Sequence, residues 1–150
     1  MIMELKVIHT NDNIAIFITN DISPLPIARS DIDFLGAEWH ITRVYVDKKY
    51  RRMGLGTICL RVLQKIAPTY ITVYPGGYFT DRKVLHKFYV HNGFIPMEST
   101  SESEYFWKGE EHTEDVCTNH VSILEDMVNM KIELGEELSS ILQKLGNFIS

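Results

Sequence analysis

The first third of the chain alternates short apolar runs with turn residues. Residues 5–8 and 14–18 are rich in β-branched side chains, and the polar segment 10–13 between them has the composition of a turn. This pattern predicts a β-hairpin. Residues 20–37 hold two prolines and several Asp and Ser residues, so we expect a loop there, with room for one helical turn near 31–35.

The middle of the chain predicts alternating strands and helices. Residues 39–46 (WHITRVYV) have the composition of a strand with Ile41, Arg43 and Tyr45 on one face. From Leu55 onward the apolar positions follow the i, i+3, i+4 spacing of an amphipathic helix, which Pro68 ends. A strand at 70–74 follows it.

A second helix is predicted after that strand, with Asp81 as a possible cap and Gly93 as its left-handed C-terminal residue. Its buried face is expected to hold Val84, Leu85, Phe88 and Tyr89. Further strand candidates are 94–95 and 105–107. Helices placed between strands predict a mixed sheet flanked by helices, of the α/β or α+β class, with at least one parallel crossover.

The C-terminal segment has a different character. Positions 121, 124, 128, 138, 142, 145 and 149 carry Val, Leu or Ile at a spacing near 3.5 residues, interrupted around Lys131 and Gly135. This indicates a helix or a helical hairpin, and we divide the chain into a domain at 1–109 and an acidic linker with this helical tail at 110–150. The apolar stripe either packs on its own domain or forms a homodimer interface through residues 121–149.

Composition narrows the class of protein. The chain has 150 residues, 45% hydrophobic and 23% charged, as expected of a globular domain. Its two cysteines stand in no metal-binding spacing, so we expect no metal. The N-terminus lacks a signal-peptide pattern, and no apolar run approaches the length of a membrane span, so a cytoplasmic protein without a membrane partner is expected.

Charge is distributed unevenly. Residues 1–97 hold 12 Lys or Arg against 8 Asp or Glu, whereas residues 98–150 hold 3 Lys against 12 Asp or Glu. A basic N-terminal part suits a polyanionic ligand, and an acidic tail suits solubility or a protein partner. The net charge of −5 argues against general nucleic-acid binding.

The most informative segment is the glycine turn, which we define as residues 51–56 (RRMGLG). Glycine lets the backbone approach a ligand closely, and the helix that begins there presents unpaired N–H groups and a partial positive charge. Arg51 and Arg52 add full charges. The segment lacks the Gly-Lys-Ser/Thr of a phosphate-binding loop and the third glycine of a dinucleotide fingerprint. A glycine that is needed only to start the helix is the alternative.

Two motifs together resemble a known family. Residues 46–56 (VDKKYRRMGLG) are similar to the V-x-P-x-Y-R-x-x-G-x-G motif of the GNAT superfamily of N-acetyltransferases, with Lys48 in place of the usual proline. Residues 88–94 (FYVHNGF) are similar to that family's F-Y-x-x-x-G-F motif. The resemblance covers about residues 1–108. It implies an acetyl-CoA-dependent N-acetyltransferase with a shortened N-terminal part and an extra C-terminal tail.

The resemblance also implies site residues. The backbone of Val44, Tyr45 and Val46 would pair with the pantetheine arm, and the diphosphate would be bound by Arg51, Arg52, Met53, Gly54, Leu55, Gly56 and Thr57. Tyr89 matches the general acid that protonates the leaving thiolate, although a core aromatic is the alternative. Glu38 and His40, at the start of the central strand, are the candidates for the general base, with Asp31 or Asp33, or no base at all, as alternatives.

The leading hypothesis is therefore transfer of an acetyl group from acetyl-CoA to a primary amine of a small molecule, peptide or protein by direct attack in a ternary complex. A non-catalytic CoA-binding or interaction module that acts through the acidic helical tail is the alternative. An intact glycine turn and an intact Tyr89 favour the enzyme.

Overall fold

The chain folds around one mixed sheet. The computed structural model describes residues 2–67, 70–73, 82–96, 105–107, 128–133 and 135–149, and within them the sheet has eight strands in the order β6-β7-β5-β4-β3-β2-β1-β8. The strands are β1 (Ile2–His9), β2 (Asn13–Thr19), β3 (Ala28–Leu35), β4 (Glu38–Val46), β5 (Ile71–Val73), β6 (Ile95–Pro96), β7 (Tyr105–Trp107) and β8 (Val128–Glu133). The helices are α1 (Leu55–Ile66), α2 (Arg82–His91) and α3 (Leu138–Ile149), with one 3₁₀ turn at Lys48–Tyr50. A mixed sheet flanked by helices confirms the predicted fold class.

The predicted hairpin is present as β1 and β2. The two strands are antiparallel, with Leu5 opposite Ile18 and Val7 opposite Ile16, and all four side chains are fully buried. Apolar residues at every second position place one face of the pair against the main core. The main core is the buried cluster that these four side chains form with residues of the helices such as Leu55, Leu63 and Ile141.

The loop predicted over residues 20–37 is wrong for its second half, where β3 runs from Ala28 to Leu35. Ala28, Ser30 and Ile32 are fully buried and lie opposite Ile18, Ile16 and Ile14 of β2. The inward positions therefore alternate as in any strand, but two of the three carry small or polar side chains. That composition hides the alternation from a hydrophobicity pattern.

Helix α1 connects the only two strands that pair in parallel in the described sheet, β4 and β5. Its buried residues include the predicted Leu55, Cys59 and Leu63. Gln64 on this helix donates its side-chain N–H to the carbonyl of Asn92, at 2.8 Å. This bond ties α1 to the C-terminal end of α2.

Helix α2 ends as the sequence predicts. Gly93 has a φ of 87°, and the N–H of Phe94 donates to the carbonyl of Tyr89 at 3.0 Å, as in a left-handed helix end. Tyr89 is buried, but Val84, expected on the same face, is 57% exposed. The interior side of α2 is thus narrower than predicted and is centred on Tyr89.

The tail differs from the helix or helical hairpin expected there. Residues 128–133 form β8, which pairs antiparallel with β1 at the edge of the sheet, with Leu5 opposite Met130 and Met3 opposite Ile132. Met130 and Ile132 alternate with the exposed Asn129 and Lys131. This period of two fits a half-buried strand, so the predicted 3.5-residue spacing does not continue through residues 128–133.

The rest of the tail packs on its own chain. Gly135, with a φ of 88°, begins the turn into α3, and Glu136 is held there by Lys144 and by the backbone N–H of Glu133 at 3.1 Å. On α3, Ile141 and Leu145 are fully buried in the main core. Leu145 belongs to the predicted dimer stripe, so that side chain is not accessible to a second chain. Of the two sequence alternatives, packing on its own domain is what α3 does.

Some predictions fall outside the described residues. They include the helix cap at Asp81 and the part of the tail at 110–127. Among the helices that the structure describes, none is long and apolar enough to cross a membrane.

Candidate active site

Among the residues that the structure describes, the pairing of β4 with β5 ends after two residues. Their parallel pairing consists of Trp39 opposite Ile71 and His40 opposite Thr72. Val73, the next residue of β5, pairs with Tyr105 of β7 and has no partner in β4. From Ile41 to Val46, β4 therefore keeps only β3 as a neighbour within the described part of the chain. With respect to the described residues this edge of β4 is unpaired, and its backbone N–H and C=O groups suit an extended ligand.

A β-bulge in β4 lies just beyond the last paired residues. Ile32 of β3 faces Ile41, whereas Asp31 faces Arg43, so Thr42 is the extra residue. Because of this extra residue, the side chains after Thr42 point to the opposite side of the sheet from the one that strict alternation predicts. Ile41 and Val46 both pack against the main core, and the predicted shared face of Ile41 with Arg43 and Tyr45 is wrong.

The glycine turn joins this open strand to α1. Gly54 is the N-cap residue with a φ of 81°, and with no side chain it makes no capping hydrogen bond. The first helical bond runs from the N–H of Ile58 to the carbonyl of Gly54, at 3.0 Å. The helix therefore begins with uncapped N–H groups and the positive end of its dipole at the turn.

Two arginines flank these N–H groups, and both are exposed. Arg51 donates its Nε–H to the carbonyl of Val46, at 3.0 Å, which anchors its guanidinium to the end of β4. Arg52 has a φ of 68°, unusual for a residue other than glycine. A strained, charged residue beside a helix start suggests a functional site.

The structure brings the predicted cofactor residues into one continuous segment from β4 through the turn into α1. Tyr45 and Met53 are 46% and 47% exposed, whereas Val44 and Thr57 are half-buried. Leu55 is a core residue at 1% exposure, so it can offer a ligand only its backbone.

Gly56 faces inward. A β carbon built on it would lie 3.5 Å from Cγ2 of Val46 and 3.7 Å from two ring carbons of Phe88. The two sequence motifs, separated by about 40 residues in the chain, thus meet in space. Gly56 serves the packing of α1 against β4 and α2.

Tyr89 lies next to Phe88 in a second core cluster with Leu60, Val73 and Phe94. Its ring is edge-on to Phe88 and to Phe94, with centroids 5.2 and 5.4 Å away. Burial raises the pKa of Tyr89 to about 12, so the phenol is protonated at neutral pH. In the structure Tyr89 is a core aromatic, and any role as an acid is additional.

Glu38 and His40 lie where the sheet begins to open. His40 Nδ1 is 2.5 Å from Oγ1 of Thr72, and His40 Nε2 is 3.9 Å from Oε2 of Glu38. The hydroxyl of Tyr70 donates to Oε1 of Glu38, at 3.1 Å. That hydrogen bond raises the pKa of the Tyr70 phenol, because the neighbouring carboxylate favours the protonated donor.

Sequence reasoning missed Tyr70 and Thr72. The signal was present as the alternation of polar and apolar residues in 70–73, which places both polar side chains on one face of a strand. That pattern does not identify the residues that Tyr70 and Thr72 contact. The contacts depend on the register between β5 and β4.

The acids proposed as alternative bases are held by other side chains. Asp31 is buried and accepts two hydrogen bonds from Arg29, at 2.6 and 2.8 Å. The same bonds raise the pKa of Arg29. Asp33 accepts from Asn13 at 2.9 Å and also from Thr42. Asp31 is the ion-pair partner of Arg29 in this structure.

Two further groups bear on the chemistry. Cys59 is fully buried, and burial raises the pKa of its thiol to about 12, as expected of an unreactive core residue. Among the residues that the structure describes, no cluster of three or more His, Cys, Asp or Glu side chains could hold a metal ion.

Comparison with known proteins agrees with this geometry. Residues 21–94 match the model of the acetyltransferase (GNAT) family. This segment belongs to the GNAT family. The match spans β3, the opening beside β4, the glycine turn and α2. Among curated proteins, none matches the sequence.

Several solved structures share the fold at low sequence identity. A GNAT-family acetyltransferase from Staphylococcus aureus Mu50 has a TM-score of 0.53 at 16% identity, covering 65% of this chain and 68% of its own. The ribosomal-protein-S18-alanine N-acetyltransferase of Escherichia coli has a TM-score of 0.50 at 16% identity, covering 71% and 76%. AtaTR bound with AcCoA has a TM-score of 0.51 at 15% identity, covering 64% and 67%.

Proposed function

We propose that this GNAT-family chain is an acyltransferase that moves an acetyl group from acetyl-CoA to a primary amine. The observation that carries the proposal is the opening of the sheet after His40 and Thr72, directly before the uncapped, arginine-flanked start of α1. An extended thioester with a polyanionic end matches this combination of a free strand edge and an anion site. AtaTR, which shares the fold, is described with AcCoA bound.

In the proposed complex the diphosphate binds the N–H groups at the start of α1, from Gly54 to Thr57, and the guanidinium groups of Arg51 and Arg52. The pantetheine arm runs along the open edge of β4 at Val44, Tyr45 and Val46. This arrangement directs the thioester toward the point where β4 and β5 separate. Orientation by these contacts supplies much of the rate enhancement.

The acceptor would enter on the side of Glu38 and His40. A primary amine is protonated in water at neutral pH, and the carboxylate of Glu38 favours a cationic acceptor. His40 or Glu38 removes one proton from the ammonium group. The neutral nitrogen then attacks the thioester carbonyl carbon, the new C–N bond forms, and the C–S bond breaks with its electron pair on sulfur.

Tyr89, which the family resemblance assigns as the general acid, is the proposed hydrogen-bond donor to the leaving sulfur. An alkyl thiol has a pKa near 8.5, so proton transfer from a phenol with a pKa of about 12 is uphill by roughly 5 kcal/mol. Its contribution is therefore a hydrogen bond that stabilises the developing thiolate. The acylated nitrogen loses its second proton, and the thiolate gains one through solvent to become CoA thiol. Overall, the ammonium form of the acceptor and acetyl-CoA give the N-acetyl product, CoA thiol and one proton.

The test is release of CoA thiol from acetyl-CoA in the presence of a panel of amines and of peptides with a free N-terminus. We expect turnover with at least one of them, and on the order of 10²-fold less turnover for Tyr89→Phe with CoA affinity retained. Equal turnover in the two proteins would leave Tyr89 with its core role alone. CoA binding without turnover on any amine would support the non-catalytic alternative.

A further inference from the structure

The point at which β4 and β5 separate carries a four-residue chain of polar contacts. Tyr70 and Thr72 are alternate residues of the β5 segment, and they contact Glu38 and His40, which are alternate residues of β4. Both pairs therefore lie on one face of the sheet. Trp39 and Ile71, between them, are buried in the main core on the other face.

The hydroxyl of Thr72 has one proton and two neighbours. Its Oγ1 lies 3.3 Å from the carbonyl oxygen of Trp39, which can only accept, and 2.5 Å from Nδ1 of His40. Both contacts are satisfied together when Thr72 donates to Trp39 and accepts from Nδ1–H. If Thr72 donated its only hydroxyl proton to Nδ1 instead, it could not also form a hydrogen bond to the carbonyl oxygen of Trp39.

We propose that Thr72 is a positioning residue that holds His40 as the Nδ1–H tautomer, so that Nε2 carries the lone pair and takes the proton of the acceptor amine. Tyr70 is the corresponding positioning residue for Glu38, whose second oxygen faces Nε2 at 3.9 Å. When Nε2 gains its proton, the resulting imidazolium is stabilised by the carboxylate of Glu38.

Three titratable groups among the described residues lie around His40. Glu38 lies on β4 itself, Tyr70 directly precedes β5, and Asp33 of β3 lies opposite His40 in the strand register. Asp33 accepts hydrogen bonds from Asn13 and Thr42. Glu38 is thus the carboxylate that the described contacts direct toward Nε2.

The consequence for turnover rests on the proposed acetyl transfer, whereas the tautomer can be measured on the protein alone. Long-range ¹H–¹⁵N correlation spectra of the ¹⁵N-labelled chain distinguish the two ring nitrogens. The chain has six histidines, and a His40→Gln variant assigns the signal. At about pH 8, above the ordinary pKa of histidine, we expect His40 with a proton on Nδ1 and a lone pair on Nε2.

Matched variants at position 72 test whether the Thr72 hydroxyl determines the tautomer of His40. Thr72→Val removes the hydroxyl at nearly constant volume and should shift His40 toward the Nε2–H form, whereas Thr72→Ser keeps the hydroxyl and should retain the Nδ1–H form. We expect kcat to fall about tenfold in Thr72→Val with the KM for acetyl-CoA unchanged, less than the 10²- to 10⁴-fold loss expected when a base is removed. Thr72→Ser should keep most of kcat.

A proton on Nε2 in the unmodified chain would overturn the inference, and so would an unchanged tautomer in Thr72→Val. Either result stands whether or not the chain transfers acetyl groups. Absence of turnover with the Nδ1–H form present would count against the proposed function and leave the assignment of the tautomer intact.

Discussion

Gly56 lies directly against Phe88: a β carbon built on the glycine would come within 3.7 Å of Cε1 and Cζ of the ring. The contact joins the glycine turn to α2, and it shows that this glycine faces the core. Gly54, two residues earlier, has open space around its position and a φ of 81°. The two glycines of one motif therefore differ: positive φ favours glycine at position 54, whereas position 56 faces the core and leaves room for a β carbon.

Alanine substitutions at these two positions should act in opposite directions. Gly54→Ala should lower the free energy of unfolding by about 1–2 kcal/mol, because an L side chain is strained at positive φ. Gly56→Ala should be neutral or raise that free energy by up to about 1 kcal/mol, since alanine favours helix and its β carbon meets ordinary contacts. Urea unfolding of both variants measures the difference, and equal losses would contradict this description of the turn.

Arg52→Gly should separate stability from binding. Removing the side chain relieves the backbone strain at a φ of 68°, so the free energy of unfolding should stay level or rise by up to about 1 kcal/mol. The same change removes a positive charge beside the proposed diphosphate site, so CoA should bind more weakly. Unfolding and calorimetric titration of one sample measure both effects. Unchanged CoA affinity would remove Arg52 from the site.

The tail should be required for the stability of the domain. Leu145→Ala removes a fully buried side chain from the main core, and we expect a loss of about 2–5 kcal/mol in the free energy of unfolding. Gln143→Ala, on the exposed side of the same helix, is the control and should change stability by less than about 0.5 kcal/mol. If Leu145→Ala were as mild as its control, α3 would not pack as described.

Alkaline pH should destabilise the fold in part through Tyr89. Its pKa is raised by burial from 10 when unfolded to about 12 when folded, so the folded state holds this proton more tightly. The stabilisation is complete below pH 10 and is lost as the pH rises through 12, a change of roughly 2–3 kcal/mol.

Unfolding in urea at several pH values measures this effect. The loss of stability above pH 10 should be smaller in Tyr89→Phe than in the unmodified chain. Part of the loss should remain in that variant, because burial also raises the pKa of Cys59, from 9 to about 12. Identical pH dependence in Tyr89→Phe and the unmodified chain would contradict the buried phenol.

Much of the central fold could be predicted because hydrophobic spacing directly reports one-sided burial. The hairpin, β4, α1 and the end of α2 at Gly93 all follow from such spacing or from one backbone requirement. β3 could not be predicted, since its inward side chains include Ala28 and Ser30. β8 was mistaken for helix because its alternation covers only six residues and is followed by the periodic α3.

The candidate site also has a part that the sequence predicts and a part that it does not. The glycine turn is local, so the sequence alone locates its arginines and the start of α1. The bulge at Thr42 and the contacts of Tyr70 and Thr72 depend on how β4 pairs with strands distant in sequence. Register of that kind is set by the whole sheet, and one-dimensional patterns do not contain it.

The most direct test of the proposed CoA site is calorimetric titration of CoA into the unmodified chain, Gly54→Glu and Gly135→Glu. Both glycines have positive φ and open space around them, so both variants carry similar strain, but only Gly54 lies at the start of α1. We expect saturable binding to the unmodified chain and to Gly135→Glu, and at least about tenfold weaker binding to Gly54→Glu, whose carboxylate repels the diphosphate. Failure of the unmodified chain to bind CoA, or equal affinity in all three folded proteins, would contradict the proposed site.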